Sequence, residues 1–313
     1  MLWYVVRRLL ATIPVVGLVA LFVFSLLYLS PGDPAVVIAG DYASEADIAR
    51  IRAGLGLDQP YLVRFGRWLG ALAHGDLGVS IFTGLPVSTL IAQRIEPTVA
   101  LTVCTLVVSV AFAVPLGVLA AARAGGWIDR AVMSVSVLGF SLPVFVLAYL
   151  LVGLFSVQLE WLPVQGYRNL AEGFGPFLKH LVLPSAALGI VYMALIARIT
   201  RASMLDVLAQ DYVRTAHAKG LSTPAVLTGH ALKNAAVPIA TIIGIGIALL
   251  IGGVVVTETV FAIPGIGRLT VDAILRRDYP IIQGVTLLFS GVYVLVNLLV
   301  DLSYTLFDPR IRY

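Results

Sequence analysis

The chain has 313 residues, of which 59% are hydrophobic and 12% charged, and its formal net charge is +4. The charged share is about half that of an ordinary soluble domain, so these apolar residues cannot all be hidden in one water-soluble core. The cations border apolar stretches instead of forming a stripe with aromatics, which argues against a nucleic-acid partner and for a membrane orientation signal.

Six stretches free of Asp, Glu, Lys and Arg stand out: 9–32, 97–122, 131–159, 181–197, 235–257 and 279–300. A membrane-spanning helix needs roughly 20 such residues, with a lower limit of about 17. All six meet it, the fourth extended by Arg198 and Arg201, which can snorkel to the headgroups. Lipid offers backbone groups no partner, so the expected fold is an all-α bundle of six transmembrane helices. The first stretch has the basic flank of a signal peptide. Its apolar run is too long for one, however, and Pro31-Gly-Asp-Pro34 is not a small-x-small cleavage site, so residues 1–32 read as a retained first helix.

Residues 33–96 form a long connection with local order of its own. Ser44-Glu-Ala-Asp47 has the spacing of a capping box, and Gly54 is placed to end the helix that follows. Tyr61, Leu62, Phe65, Trp68, Leu69 and Leu72 recur at helical spacing, with Arg64 and Arg67 beside that apolar face. Such a helix lies along the membrane surface or against the bundle. Gly75, Gly78 and Gly84 with Pro86 mark turns. Two readings stand for the segment: a lid that only packs, or a docking surface on which Arg64, Arg67, Trp68 and Asp76 meet a partner.

From residue 97 the chain reads as a core of five further spans, 97–313. The single cysteine, Cys104, lies in the second span and can form no intrachain disulfide. The third span contains Ser141 and Pro143; the proline removes a helix hydrogen bond, and Ser141 can satisfy a freed carbonyl. A kink there serves either helix packing or the lining of a path. Trp161, Pro163 and Tyr167 in the next loop read as interfacial anchors.

A polar interruption follows at 201–236. Asp211 can cap a short helix, Gly220 can close it in the left-handed conformation, and Thr223-Pro224 can cap and start another. Between the caps, small residues alternate with cations: Arg214, Thr215, Ala216, His217, Ala218 and Lys219. Ala216 and Ala218 leave so little side chain that the helix can lie deep in a partner's groove; the plainer reading is a basic cytoplasmic loop. The fifth span carries Gly244, Gly246, Gly252 and Gly253, which permit close helix approach. Glu258 at its end either has a functional role or emerges into water. Tyr293, Asn297 and Asp301 share one face of the last span and can line an aqueous path or pair within the bundle.

Arg7, Arg8, Arg123, Arg130, Arg198, Arg201, Arg214, Lys219, Lys233, Arg310 and Arg312 fall on one side of the bundle, so the positive-inside rule puts both termini and the 201–236 loop in the cytoplasm. The chain contains no G-x-x-x-x-G-K-[ST] phosphate loop, so any ATP hydrolysis belongs to another subunit. His74, His180, His217 and His230 are scattered, and no metal site is expected. No nucleophile and base meet in the apolar runs, so the chain does not read as an enzyme.

The run Asp211-Tyr-Val-Arg-Thr-Ala-His-Ala-Lys-Gly-Leu221, followed by His230-Ala-Leu-Lys-Asn-Ala-Ala-Val-Pro238, resembles the coupling-loop signature of ABC importer permeases in the form used by the dipeptide and oligopeptide (peptide/nickel) family. The likeness extends through Arg7-Arg8-Leu9-Leu10, Pro31-Gly-Asp-Pro-Ala35, Gly75-Asp-Leu-Gly-Val-Ser80, Glu258-Thr-Val-Phe-Ala-Ile-Pro-Gly-Ile-Gly-Arg268, Arg277-Asp-Tyr-Pro280 and Asp308-Pro-Arg-Ile-Arg312. It implies the type I importer permease fold in the cytoplasmic membrane of a prokaryote, with residues 33–96 extracytoplasmic. It also implies four kinds of partner: a second homologous permease subunit, two ATPase subunits using ATP and Mg, an extracytoplasmic substrate-binding protein, and membrane lipid. Asp211, Tyr212, Arg214, Thr215, Ala216, Ala218, Lys219, Gly220 and Leu221 would then couple to the ATPases, and Ser141, Pro143, Glu258, Tyr293 and Asn297 would lie on the path. Di- or oligopeptides are the implied cargo, moved by alternating access; nickel complexes, haem or glycans use similar permeases. An ATP-independent channel or secondary transporter would not need the coupling run.

Overall fold

The computed structural model describes residues 2–29, 33–39, 43–54 and 56–307. In chain order its helices are α1 (Leu2–Leu29), α2 (Pro34–Ala39), α3 (Glu45–Gly54), α4 (Tyr61–Ala73), α5 (Val87–Ala92), α6 (Ile95–Ala122), α7 (Trp127–Ser141) and α8 (Val144–Leu151). They continue with α9 (Phe174–Leu208), α10 (Asp211–Ala218), α11 (Thr223–Ala225), α12 (Leu232–Asn234), α13 (Ala236–Val260), α14 (Ile266–Arg276) and α15 (Tyr279–Phe307). Among the described residues there is no strand, only an isolated bridge between Val79 and Pro86. The all-α membrane fold expected from composition is the one observed. Among the described residues, four helical segments are long and apolar enough to cross a bilayer: Val87–Ala122, Phe174–Leu208, Ala236–Val260 and Tyr279–Leu302. The first expected span appears as the apolar stretch Thr12–Tyr28 of α1. The third is not one rod: Trp127–Ser141 and Val144–Gln158 meet at 105°, a sharper break than a proline kink. Leu142 is extended there (φ −88°, ψ 131°), as the residue before a proline prefers.

Within the spans, several hydroxyls return to their own helix. Thr102 donates to the Thr98 carbonyl at 2.7 Å, Ser141 to Val137 at 2.7 Å, Thr241 to Val237 at 2.8 Å, Thr257 to Gly253 at 2.9 Å, and Ser290 to Thr286 at 2.8 Å. Each polar group is satisfied one turn back, at small cost to the helix.

The chain divides into two units, residues 1–95 with 269–294, and residues 96–268 with 295–313. In the first, α4 lies against α1 through an aromatic cluster. Phe24 meets Tyr61, Phe65 and Trp68 at ring distances of 5.3 to 5.4 Å, and Ser25 shares a 2.8 Å hydrogen bond with the Tyr61 hydroxyl. The Ser44–Asp47 box forms as expected, with Ser44 Oγ donating to Asp47 Oδ2 at 2.7 Å and accepting the Asp47 N–H at 3.2 Å. α3 ends at Gly54, as the sequence suggested, and Gly56, with φ +62°, follows it in the left-handed conformation. The Arg52 guanidinium on Asp33 holds that carboxyl below the usual range. Pro31 and Gly32, and the closing run 308–312, lie outside the described residues.

In the second unit α9 is the central helix. Its core face, with Leu181, Leu188, Tyr192 and Ile196, packs with Leu101 of α6 and Leu250 and Val254 of α13. Small residues set the spacing. A Cβ at Gly117 would stand 2.6 Å from Thr200, and one at Gly246 would overlap the Tyr192 ring. The Tyr192 hydroxyl donates to the Ile243 carbonyl at 2.7 Å, so the glycine stretch of α13 receives both a ring and a hydrogen bond.

Candidate functional site

The polar segment after α9 is built as a short helix on an apolar footing. Only Ala209 and Gln210 separate α9 from α10. Val213 and Ala216, three residues apart on one face, are buried against Val226, with Leu208 and Leu221 packed around them. Asp211, Tyr212, Arg214, Thr215, Ala218, Lys219 and Gly220 are all exposed. The amphipathic helix is therefore seated by its apolar pair and presents its polar residues outward. Ala216 faces the chain's own interior, where it seats the helix.

The stop of α10 is a Schellman turn. Gly220 has φ +83°, its N–H bonds the His217 carbonyl at 2.9 Å, and the Leu221 N–H bonds the Ala216 carbonyl at 3.3 Å. Leu221 then adds the apolar contact. The start differs from the sequence reading. Gln210 occupies the cap position without a side-chain capping bond, its amide donating instead to the Asp206 carbonyl at 3.3 Å, and Asp211 is the first helical residue, pairing loosely with Arg214 at 3.5 Å. The carboxylate still sits in the first turn, where the helix dipole favours it. Likewise Ser222, not Thr223, precedes α11, and π-helical turns over Val226–Ala231 carry the chain to α12. Met204, Ala231, Ala235 and Ile239 bury this return against the end of α9.

Glu258 neither lines a path nor emerges into water. It is fully buried at the end of α13. Thr98 Oγ1 donates to its Oε1 at 2.6 Å, and the backbone N–H groups of Gly267 and Arg268 donate to the carboxylate, the latter to Oε2 at 3.0 Å. Thr98 Oγ1 in turn accepts the Ile266 N–H at 2.8 Å. Three donors of the first turn of α14 are thus satisfied by side chains from α13 and α6. An N-cap residue ordinarily supplies that oxygen. Here position 265 is glycine, and a Cβ there would collide with the Glu258 carboxylate. At Gly267 a Cβ would lie 2.6 Å from the Val255 backbone. The run from Glu258 to Arg268 is a closed joint whose glycines leave room for the carboxylate.

The other path residues are more open. Ser141 bonds Val137 and Pro143 starts α8, so both stand at the 105° break. On α15, Tyr293 is exposed and Asn297, one turn on, is half-buried. The proposed docking residues are mostly engaged internally. The Arg64 guanidinium lies 5.2 Å over the Tyr28 ring and 5.7 Å over Phe24 and also bonds the Tyr28 hydroxyl; Trp68 belongs to the same cluster. Arg67 donates to Gln59 at 2.7 Å, and Asp76 accepts the Gly78 N–H at 2.8 Å. Arg64 and Trp68 hold α4 to α1, while Arg67 and Asp76 remain exposed.

Three junctions escaped the sequence reading. Arg201 clasps Asp129 with two hydrogen bonds, Nε to Oδ1 at 2.5 Å and the second nitrogen to Oδ2 at 2.6 Å, and the Gly125 N–H adds a third at 2.8 Å. The only signal was a lone acid inside a basic loop. Ser80 donates to Asp278 Oδ2 at 2.6 Å, both residues buried, which joins two of the motifs on which the resemblance rests. Glu96 accepts the Tyr167 hydroxyl at 3.2 Å and the Leu170 N–H at 3.3 Å. Burial first, and then the Glu96 charge, push the Tyr167 phenol well above its ordinary range.

Comparison with known proteins agrees with this architecture. Residues 113–313 match the family model "Binding-protein-dependent transport system inner membrane component", and residues 1–102 match its N-terminal companion. A probable peptide ABC transporter permease protein of Sinorhizobium fredii is 57% identical over 310 residues, 99% of each chain. A putative peptide transport system permease protein of Brucella abortus is 46% identical over 309 residues, 99% of this chain and 98% of the other. A glutathione transport system permease protein of Salmonella paratyphi A is 45% identical over all 313 residues, 100% of each. A solved structure of the MetNI methionine ABC transporter, described as inward-facing, superimposes with a TM-score of 0.60 at 16% identity, covering 71% of this chain and 97% of that one.

Proposed function

Because the chain belongs to the family of binding-protein-dependent transport system inner membrane components and is a multi-pass transmembrane permease subunit of an ABC importer, we propose that it moves di- or oligopeptides into the cytoplasm by alternating access. Two relatives carry peptide names and a third names glutathione, itself a small peptide, which supports this cargo class. The proposed assembly pairs this chain with a second, homologous permease, two ATPase subunits that hold ATP and Mg, and an extracytoplasmic binding protein. Both termini and residues 201–236 lie in the cytoplasm on this reading, and residues 33–96 lie outside, with Arg67 and Asp76 open to receive the binding protein. Ser141 and Pro143 at the α7–α8 break, and Tyr293 and Asn297 on α15, are assigned to the path; Glu258 is not.

The observation that carries the proposal is α10, whose polar residues all face outward from an apolar seat. A helix so presented is ready to be gripped by an ATPase subunit. Gly220→Trp tests it. No atom lies within 4 Å of a Cβ at this position, so the fold meets only the left-handed backbone cost of roughly 1–2 kcal/mol while an indole stands on the docking face. Purified in mild detergent, the wild type should retain a second permease and ATPase subunits. The variant should keep the permease and lose the ATPases. Normal ATPase retention and normal peptide uptake by the variant would refute the assignment.

A further inference from the structure

The clasp between Asp129 and Arg201 is more elaborate than a cytoplasmic-side charge requires. The Asp129 carboxylate is 4% exposed and receives three donors, two from the guanidinium fork and one from the Gly125 backbone. Bidentate geometry of this kind fixes direction as well as distance. It also joins two elements with separate destinations. Arg201 stands one turn before Met204 and Leu205, which pack on the return from the α10 segment, and two turns before Leu208, which packs on α10 itself. Asp129 stands in the first turn of α7. The other end of α7 is Ser141, at the 105° break.

Between those ends α7 rides on α9 along a close track. Ser136 and Gly139 are its buried positions, and a Cβ at Gly139 would lie 3.0 Å from Ile190. Small residues permit sliding or rocking, whereas the fork at residues 129 and 201 does not. At 1.5 Å per residue, the 15 residues of α7 make an arm of about 22 Å.

We propose that Asp129 and Arg201 are positioning residues that make α7 a lever: the fork binds its cytoplasmic end to α9, so displacement of the α10 segment is delivered to the break at Leu142–Pro143. This rests on the coupling role proposed above for α10.

The test uses the whole transporter, reconstituted in proteoliposomes with its second permease, ATPase subunits and binding protein. Removing both charges together, in Asp129→Asn/Arg201→Met, avoids stranding one ion, and such replacements are often neutral for folding. Arg201→Lys keeps the charge but not the fork. Three readouts are taken: ATPase subunits retained, ATP hydrolysed, and peptide taken up per ATP. The expected result for the double variant is full retention and sustained hydrolysis, with peptide per ATP reduced about tenfold, within the range of ordinary coupling energies. Arg201→Lys should fall between it and wild type. Unchanged peptide per ATP overturns the lever. So does failure of both variants to assemble, which would make the clasp a requirement of the fold alone. Absence of ATPase subunits from the wild-type complex would instead refute the coupling role of α10.

Discussion

The joint at Glu258 allows a quantitative test. Glu258→Ala removes the buried acceptor of the Thr98 hydroxyl and of the Gly267 and Arg268 N–H groups. A buried donor that loses its acceptor costs roughly 1–3 kcal/mol, and with partial relaxation the three together should cost about 4 kcal/mol, near the upper end for a single substitution. Glu258→Gln keeps one accepting oxygen and should cost about half as much. The decisive variant adds a local cap. In the wild type, Gly265→Ser collides with the carboxylate and should destabilise. With the carboxylate gone there is room, and the hydroxyl introduced in Glu258→Ala/Gly265→Ser can bond the same N–H groups, recovering about 1 kcal/mol. Thermal unfolding of the detergent-purified protein reads the four corners of the cycle, and hydrogen exchange at residues 266–268 reports whether the first turn of α14 is the place affected. If Gly265→Ser is equally harmful in both backgrounds, the carboxylate is not acting as the cap of α14.

Two further predictions concern junctions elsewhere. Ser80→Ala removes a 2.6 Å bond to the buried Asp278 and should lower stability by about 2 kcal/mol, the usual worth of a hydrogen bond to a charged group, whereas Ser80→Thr should preserve it; thermal unfolding separates them. The raised phenol of Tyr167 means that the folded state holds its proton beyond the pH at which an unfolded tyrosine would release it. Its contribution is complete below about pH 10, the unfolded value, and is lost as pH rises through the folded one. Alkaline absorbance titration should therefore show late-titrating absorbance that falls by one tyrosine in Tyr167→Phe. Retention of all late-titrating absorbance in that variant would contradict the raised phenol of Tyr167.

What could be read from the sequence follows physical range. The apolar stretches, the Ser44–Asp47 box and the Gly220 stop depend on residues within a few positions of one another, and all appear. Cap positions slipped by one residue at Asp211 and Thr223, because neighbouring polar residues compete for the same helix end. Arg64 and Trp68 were correctly placed on one helix, but whether that helix faces a partner or α1 is decided by Phe24 and Tyr28, some 40 residues away. Glu258 was visible as an ionisable group at the end of a span. Its partner Thr98 lies 160 residues earlier, and no local pattern pairs them. Gly265 and Gly267 were the available hint: two glycines just after the acid mark the space that it fills.

The return of these span hydroxyls to their own helices has a consequence for how the chain is made. A helix whose serines and threonines are already satisfied can leave the translocon singly and wait in lipid without a neighbour. The Glu258 joint cannot be completed that way, since Thr98 enters the membrane long before residues 258–268 have been synthesised. Insertion of a span satisfied in this way is thus indifferent to order, while the polar joint that closes late in synthesis records whether α6 and α13 have found one another. A quality-control protease that recognises an unmet carboxylate near the membrane would have, at this one position, a report on the packing of the second unit.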